Sequence, residues 1–411
     1  MISWKLVGPL LLAGICCTNA AGPDFVAGTN LPTASAKSEG FDGQTLVDLA
    51  HWVRDQPALP VFSILISRHG NLVFELYTGG IEREDAHYMM SVTKSVLSAL
   101  VGEAVKTGAI KSLDAPISQL LPPSLFLGDT QIARFGGLRL QDVMGMSALA
   151  VHDPPRDTSQ SAMQHFNAFY SASNRVAFAL RESLLPTVGQ DFLYNDETPL
   201  LTAGVVQYAT GKTLLDFGRT TLFDPLGFAN EEWMHADHSG VNMGGYGFRM
   251  RPMDMQKFGI LYLNRGVWNG QQVLPADWVD KAFAPYIKSA PTRTTDNYGW
   301  NWWTYNYGAG WHFLVADGWR GQRIAINKDH DLVVTMTGYI EQQNEADIFY
   351  QLCTQYVMAA ITKGATGADL QASIDTALAA VRAGASRVKA NPETRMVPSA
   401  LPKETTVPFK P

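Results

Sequence analysis

Strand-forming segments lie toward the two ends of this chain, and the stretch between them reads as helices and loops. Residues 61–67 and 72–77 are apolar runs around Arg68-His69-Gly70-Asn71, the pattern of a hairpin. Residues 322–327 and 332–337 flank Lys328-Asp329-His330-Asp331 in the same way. From about residue 107 to residue 242 no strand ladder is evident. This distribution implies one α/β (α+β) domain whose sheet is assembled from both ends of the chain, with a helical region inserted at about residues 107–250.

The helices have readable starts and stops. Asp42 is an N-cap candidate for a helix reaching Asp55. Residues 91–106 carry helical periodicity, with Val92, Val96, Leu100 and Ala104 near one face and Gly108 as a stop. Residues 199–208 form a helix closed by Thr210-Gly211, and Pro252 opens another over 254–263. Residues 344–361 read as a long helix, and 368–382 as a further amphipathic one. The Pro-rich, polar stretch beyond Asn391 reads as a loosely ordered tail, so 363–411 is separated from the main domain, 21–362.

With 411 residues, 46% hydrophobic and 17% charged, the chain can bury a large core. A formal net charge of -6 argues against a nucleic-acid partner, which calls for a basic face. The N-terminus reads as an export signal over residues 1–20: Lys5, an apolar run at 6–15 too short to span a bilayer, then Thr18-Asn19-Ala20. Ala21 is the expected mature start, in a periplasmic or secreted protein. Ile15 before Cys16 argues against a lipoprotein, and no later apolar run is a membrane span. Only Cys353 then remains, so no internal disulfide is expected; it lies in an apolar helical pattern and reads as core.

Ser91-Val92-Thr93-Lys94 carries the chemistry. Residues three apart share a helix face, and a serine at a helix start has backbone N–H groups nearby. Apolar surroundings (Met89, Met90, Val92, Val96) disfavour an ammonium on Lys94, and a neutral lysine can take the serine proton. Alone, S-x-x-K is a weak signal, because a capping serine and a solvated lysine give the same pattern.

Two further stretches change that. Tyr194-Asn195-Asp196 precedes a helix, and Gly318-Trp319-Arg320-Gly321-Gln322 is expected to open a late strand. In this order the three resemble the S-x-x-K, Y-x-N and K-T-G motifs of the serine β-lactamase and D-Ala-D-Ala peptidase superfamily. The stretches 138–147, 244–263 and 266–278 are similar to its class C-like esterase branch. The resemblance implies a β-lactamase/transpeptidase-like fold, an antiparallel sheet with covering helices and an inserted helical domain. It implies a cleft in which Ser91 attacks an ester or amide carbonyl, Lys94 and Tyr194 move the proton, and the N–H groups of Ser91 and Gln322 hold the oxyanion. No metal and no cofactor are implied.

Two departures bear on substrate. Asp196 stands where asparagine is usual; pairing with Lys94 would favour the ammonium and shift the base role toward Tyr194. Trp319, Arg320 and Gly321 replace K-T-G, so the lysine that helps hold a β-lactam carboxylate is missing. Arg320 could substitute for it unless strand alternation turns it away. The pattern points to carboxylesterases and to 6-aminohexanoate-dimer amidases, hence a small-molecule ester or linear amide substrate. The aromatic run Tyr298, Trp300, Trp302, Trp303, Tyr305, Tyr307 divides between core packing and a pocket wall. The alternatives are a β-lactamase or D-Ala-D-Ala carboxypeptidase, and a non-enzymatic cell-wall peptide sensor on the same fold. A G-x-S-x-G elbow, H-E-x-x-H and a P-loop are absent, and His235, Asp237 and His238 lack a third partner for a metal.

Overall fold

The computed structural model describes residues 30–56, 59–151, 159–288, 295–341, 344–385 and 409. The segment read as an export signal and most of the tail lie outside the described residues. The strands, in chain order, are β1 (Val61–Arg68), β2 (Asn71–Tyr77), β3 (His87–Tyr88), β4 (Glu232–Trp233), β5 (Phe248–Met250), β6 (Val267–Trp268), β7 (Gln271–Gln272), β8 (Thr295–Gly299), β9 (Trp302–Asn306), β10 (His312–Gly318), β11 (Gln322–Asn327) and β12 (Leu332–Gly338). Seven of them form one antiparallel sheet, ordered β2-β1-β12-β11-β10-β9-β8. The N-terminal hairpin β1–β2 thus continues a sheet whose other strands all come from the C-terminal part. The pairing Ile64↔Met336 through Arg68↔Leu332 joins the two ends of the chain.

Alternation along the strands builds a core on each face. On β10, Leu314 and Ala316 point into one apolar cluster, and Phe313 and Val315 into the other. The second cluster is covered by the helix Gly43–Asp55, the helical run 345–363 and the helix Gln371–Ala385. Asp42 does cap the first of these, accepting from the Thr45 N–H. The run 345–363 passes through a π-helical turn at Leu352–Met358, where Cys353 is buried and its thiol pushed up by burial.

The first cluster is covered by the helices Val92–Lys106 and Pro252–Leu263. Residues 92–104 of the former are buried on every side, so it is a central helix and not a surface one. The inserted region is mostly helical, as expected, but it also supplies β4 and β5, which form a small sheet with β3. Those strands are two or three residues long, too short for periodicity to reveal.

Candidate active site

Ser91 sits where two elements meet, at the N-terminus of the Val92–Lys106 helix. The turn into that helix is tight: Val92 N–H donates to Met89 O, and Met90 is held at φ 46, a left-handed conformation unfavourable for a side chain of its kind. Lys94 is one turn further on and fully buried. Its ammonium donates to Ser91 Oγ at 2.8 Å, to Asp196 Oδ1 at 2.5 Å and to the Gly245 carbonyl at 2.8 Å. A buried cation needs such a set, because desolvation without partners would expel its charge.

Each partner is fixed by its own local structure. Asp196 is the N-cap residue of the helix Glu197–Thr210, while the preceding Asn195 turns into the core and accepts from the Thr198 N–H. Tyr194 is thereby left facing Lys94, whose Nζ is 4.8 Å from the ring centroid. Gly245 gives Asp196 its room: a Cβ there would lie 2.8 Å from Asp196 Oδ1 and 3.1 Å from the Asp196 carbonyl oxygen. The three sequence candidates Ser91, Lys94 and Tyr194, with Asp196, are therefore brought together around one ammonium.

Of the aromatic run, only Tyr298 and Trp303 reach this place. They pack on Tyr194 at 5.9 and 5.3 Å between ring centroids, with Phe192 beside them. Trp302 packs instead on Phe258 and Tyr262, Trp300 on Trp278, and Tyr305 and Tyr307 belong to the core on the opposite face of the sheet.

The third motif is placed differently from expectation. Gly318 ends β10 and Gln322 begins β11, so Trp319-Arg320-Gly321 is the turn between strands and not the opening of one. Arg320 at φ 69 and Gly321 at φ 94 make that turn. The backbone pressed against the turn that carries Ser91 is that of Gly318, where a Cβ would lie 2.4 Å from Met89 O and 3.2 Å from Val92 N. The buried Gln322 side chain braces this turn, donating to Trp319 O at 3.2 Å and to Gly338 O at 2.8 Å. Arg320 lies between the Trp319 and Tyr339 rings, 4.4 and 4.2 Å from their centroids, with Nη1 3.2 Å from Glu341 Oε1. It leaves the strand alternation assumed for it because it is a turn residue.

Residues 49–348 match the model of the family described as Beta-lactamase. The chain belongs to the beta-lactamase family. Within that family it is 22% identical over 237 residues to the 6-aminohexanoate-dimer hydrolase of Paenarthrobacter ureafaciens, a match covering 56% of this chain and 59% of that enzyme. Its fold is similar to that of a Bacillus anthracis protein assigned as a 6-aminohexanoate-dimer hydrolase, with TM-score 0.62 and 19% identity over 82% of this chain and 88% of that one. It is similar also to EstCE1, a hydrolase with promiscuous acyltransferase activity, with TM-score 0.62 and 14% identity over 78% of this chain and 99% of the other. The fold of this beta-lactamase family member is thus the β-lactamase/transpeptidase-like one that the motif order implied, and its relatives are hydrolases.

Sequence reasoning did not find one cluster close to Asp196. His165 Nε2 lies 2.5 Å from Glu197 Oε1, and its Nδ1 lies 3.9 Å from Glu182 Oε1. These are the group among the described residues whose ligand atoms approach closely enough to suggest a metal. The two ring nitrogens face different carboxylates, which suits a bridging imidazole better than a shared ion. Burial pushes the Glu197 carboxyl upward, and His165 opposes that. Asp237 is engaged elsewhere, by the N–H groups of Arg175 and Ser239. Among the described residues no helix is long and apolar enough to cross a membrane.

Proposed function

We propose that this protein is a serine hydrolase that cleaves esters or linear amides through an acyl-enzyme on Ser91. The observation that carries the reading is the buried Lys94 ammonium, held 2.8 Å from Ser91 Oγ with Asp196 and Tyr194 around it. Ser91 Oγ attacks the carbonyl carbon. Its proton moves to the Tyr194 oxygen as the tyrosine's own proton passes to the leaving oxygen or nitrogen, whose bond to carbon then breaks. Asp196 favours the ammonium form of Lys94, so the lysine acts first as a fixed positive charge beside the tyrosine and the nucleophile. Water repeats the sequence in reverse and frees Ser91. The oxyanion is received by the N–H groups of Ser91 and Trp319, the latter following Gly318 where the strand touches the nucleophile turn.

Ester or linear amide is favoured over β-lactam by what the third motif lacks. Trp319 offers no charge, and Arg320 is engaged by two rings and Glu341. The discriminating experiment compares kcat/KM for nitrocefin, a short p-nitrophenyl ester and the linear 6-aminohexanoate dimer on one preparation. Nitrocefin as the best substrate would return the β-lactamase reading, and acylation without turnover would return the sensor. N-terminal sequencing of protein from a periplasmic fraction tests export; a start near Ala21 supports it, and a retained Met1 opposes it.

A further inference from the structure

We propose that Arg323 is a positioning residue for acyl transfer at Ser91: it fixes the β10–β11 hairpin from the face opposite the nucleophile. The proposal rests on the reading of Ser91 as nucleophile given above. On β10 the alternation that turns Gly318 toward Met89 and Val92 turns Asp317 to the other face, and Asp317 is paired across the ladder with Arg323. The Arg323 guanidinium is buried and closed in by four acceptors. Nη1 donates to Gly318 O and to Gln322 O at 3.0 Å and lies 2.7 Å from Asp317 Oδ1 in an ion pair, and Nη2 donates to Glu345 Oε2 at 3.3 Å. Tyr305, kept protonated by burial, donates to the other Asp317 oxygen. The Arg320 N–H also faces the Glu345 carboxylate.

One planar cation therefore ties both strands of the hairpin and the start of the helical run 345–363 to a single point. The carbonyl it takes from Gly318 belongs to the peptide whose N–H is that of Trp319, so the same bond that anchors Gly318 O orients the N–H assigned to the oxyanion. A displacement of the order of 1 Å at such a donor lowers rates substantially. A lysine cannot do the same work, because an ammonium is a point donor and cannot span the carbonyls, Asp317 and Glu345 together.

The test uses Arg323→Lys, Tyr305→Phe and Glu345→Gln in the full mature chain, with a p-nitrophenyl ester and with phenylboronic acid. The boronate forms a tetrahedral anion on serine and reports the oxyanion position without turnover. Arg323→Lys is expected to lower kcat roughly tenfold to hundredfold with KM within about twofold, and to weaken boronate inhibition in parallel. Tyr305→Phe, which removes one hydroxyl, follows in the same direction by a few-fold. A purely structural Arg323 would lower the melting temperature and leave kcat and boronate affinity of the folded protein unchanged, and that result overturns the proposal. If Arg323→Lys does not fold, Tyr305→Phe and Glu345→Gln decide on the same two readouts. Fluorophosphonate labelling of the wild type checks Ser91 separately: labelling at Ser91 with unaltered variant kinetics removes Arg323 alone, and no labelling removes the nucleophile assignment itself.

Discussion

Two cations are buried on opposite faces of the same sheet, and their surroundings differ in one respect. Lys94 has a carboxylate, a carbonyl and the Ser91 hydroxyl as acceptors, and Ser91 is itself partly exposed. Arg323 has two carboxylates and two carbonyls around it. Both arrangements answer the cost of desolvating a charge. Only the first includes among its acceptors a hydroxyl able to become a nucleophile, that of the partly exposed Ser91. The Lys94 cluster is therefore built to change during a reaction, and the Arg323 cluster to stay as it is.

The comparison is broken most severely at its reactive acceptor. Ser91→Ala is expected to lower ester turnover by at least about 10³-fold and to abolish the fluorophosphonate adduct, without a large change in melting temperature. Intact mass spectrometry and initial rates check this; full turnover by the variant would remove Ser91 from the mechanism.

A buried group whose desolvation outweighs the charges near it should give up its own charge altogether, and His87, with Asp85 and Arg249 in range, is such a group. It is buried beside Phe62, neither ring nitrogen has a partner among the described residues, and burial lowers its pKa to about 4. An unfolded histidine titrates near 6.5. Between these values the unfolded chain binds the extra proton, so stability is full above about pH 6.5 and is lost as pH falls toward 4, by about 3 kcal/mol in total. Glu103 works in the opposite sense: burial pushes its carboxyl up to about 7, so its contribution is lost as pH rises through that value. The two windows overlap. The useful measurement is the urea midpoint of wild type relative to His87→Phe from pH 7 to pH 4.5, in which wild type should lose ground to the variant as pH falls if His87 is held neutral.

Within the reactive cluster the hydroxyl and the carboxylate separate by effect. Tyr194→Phe is expected to reduce kcat by about 10²-fold with little change in KM, the scale of a lost proton relay. Asp196→Asn removes the charge that favours the ammonium, so the positive charge that assists the reaction is lost at lower pH. The descending limb of the kcat/KM profile should then move about one unit toward acid, with a change of tenfold or less at neutral pH. An unshifted profile would mean that Lys94 is not part of the titrating machinery.

Much of this was legible beforehand, and the reason differs by element. The hairpins β1–β2 and β11–β12 announce themselves through short apolar runs around polar turns, which is local information. Ser91, Lys94 and Tyr194 were found through motif spacing and order. The assignment of the oxyanion N–H to Gln322 followed the second glycine of Gly318-Trp319-Arg320-Gly321-Gln322, whereas close approach occurs at the first. Sequence could not separate them, because both glycines are required, Gly318 for contact with Met89 and Gly321 for φ 94. Arg323 with Asp317, Tyr305 and Glu345, and His165 with Glu197, join residues distant in sequence on different elements, so only the tertiary fold brings them together.

The smallest expected effect sharpens the comparison on the hairpin itself, where a second arginine lies three residues before Arg323. Arg320 is stacked between Trp319 and Tyr339 and faces Glu341, an exposed carboxylate. A stacked, partly solvated guanidinium of this kind contributes about 1 kcal/mol or less. Arg320→Ala keeps the same left-handed backbone requirement at φ 69, so the turn gains no new strain from the exchange. The variant should therefore change kcat/KM for nitrocefin and for a p-nitrophenyl ester by the same factor, about twofold at most. An arginine that received a substrate carboxylate would behave otherwise. Its loss would lower nitrocefin turnover selectively by roughly one to two decades, the scale of a charge-assisted hydrogen bond, and leave the uncharged ester unaffected. Steady-state rates on the two substrates decide between these outcomes. A selective loss would mean that Arg320 swings from the Trp319–Tyr339 stack into the cleft, and that the missing lysine of the third motif has a functional replacement after all.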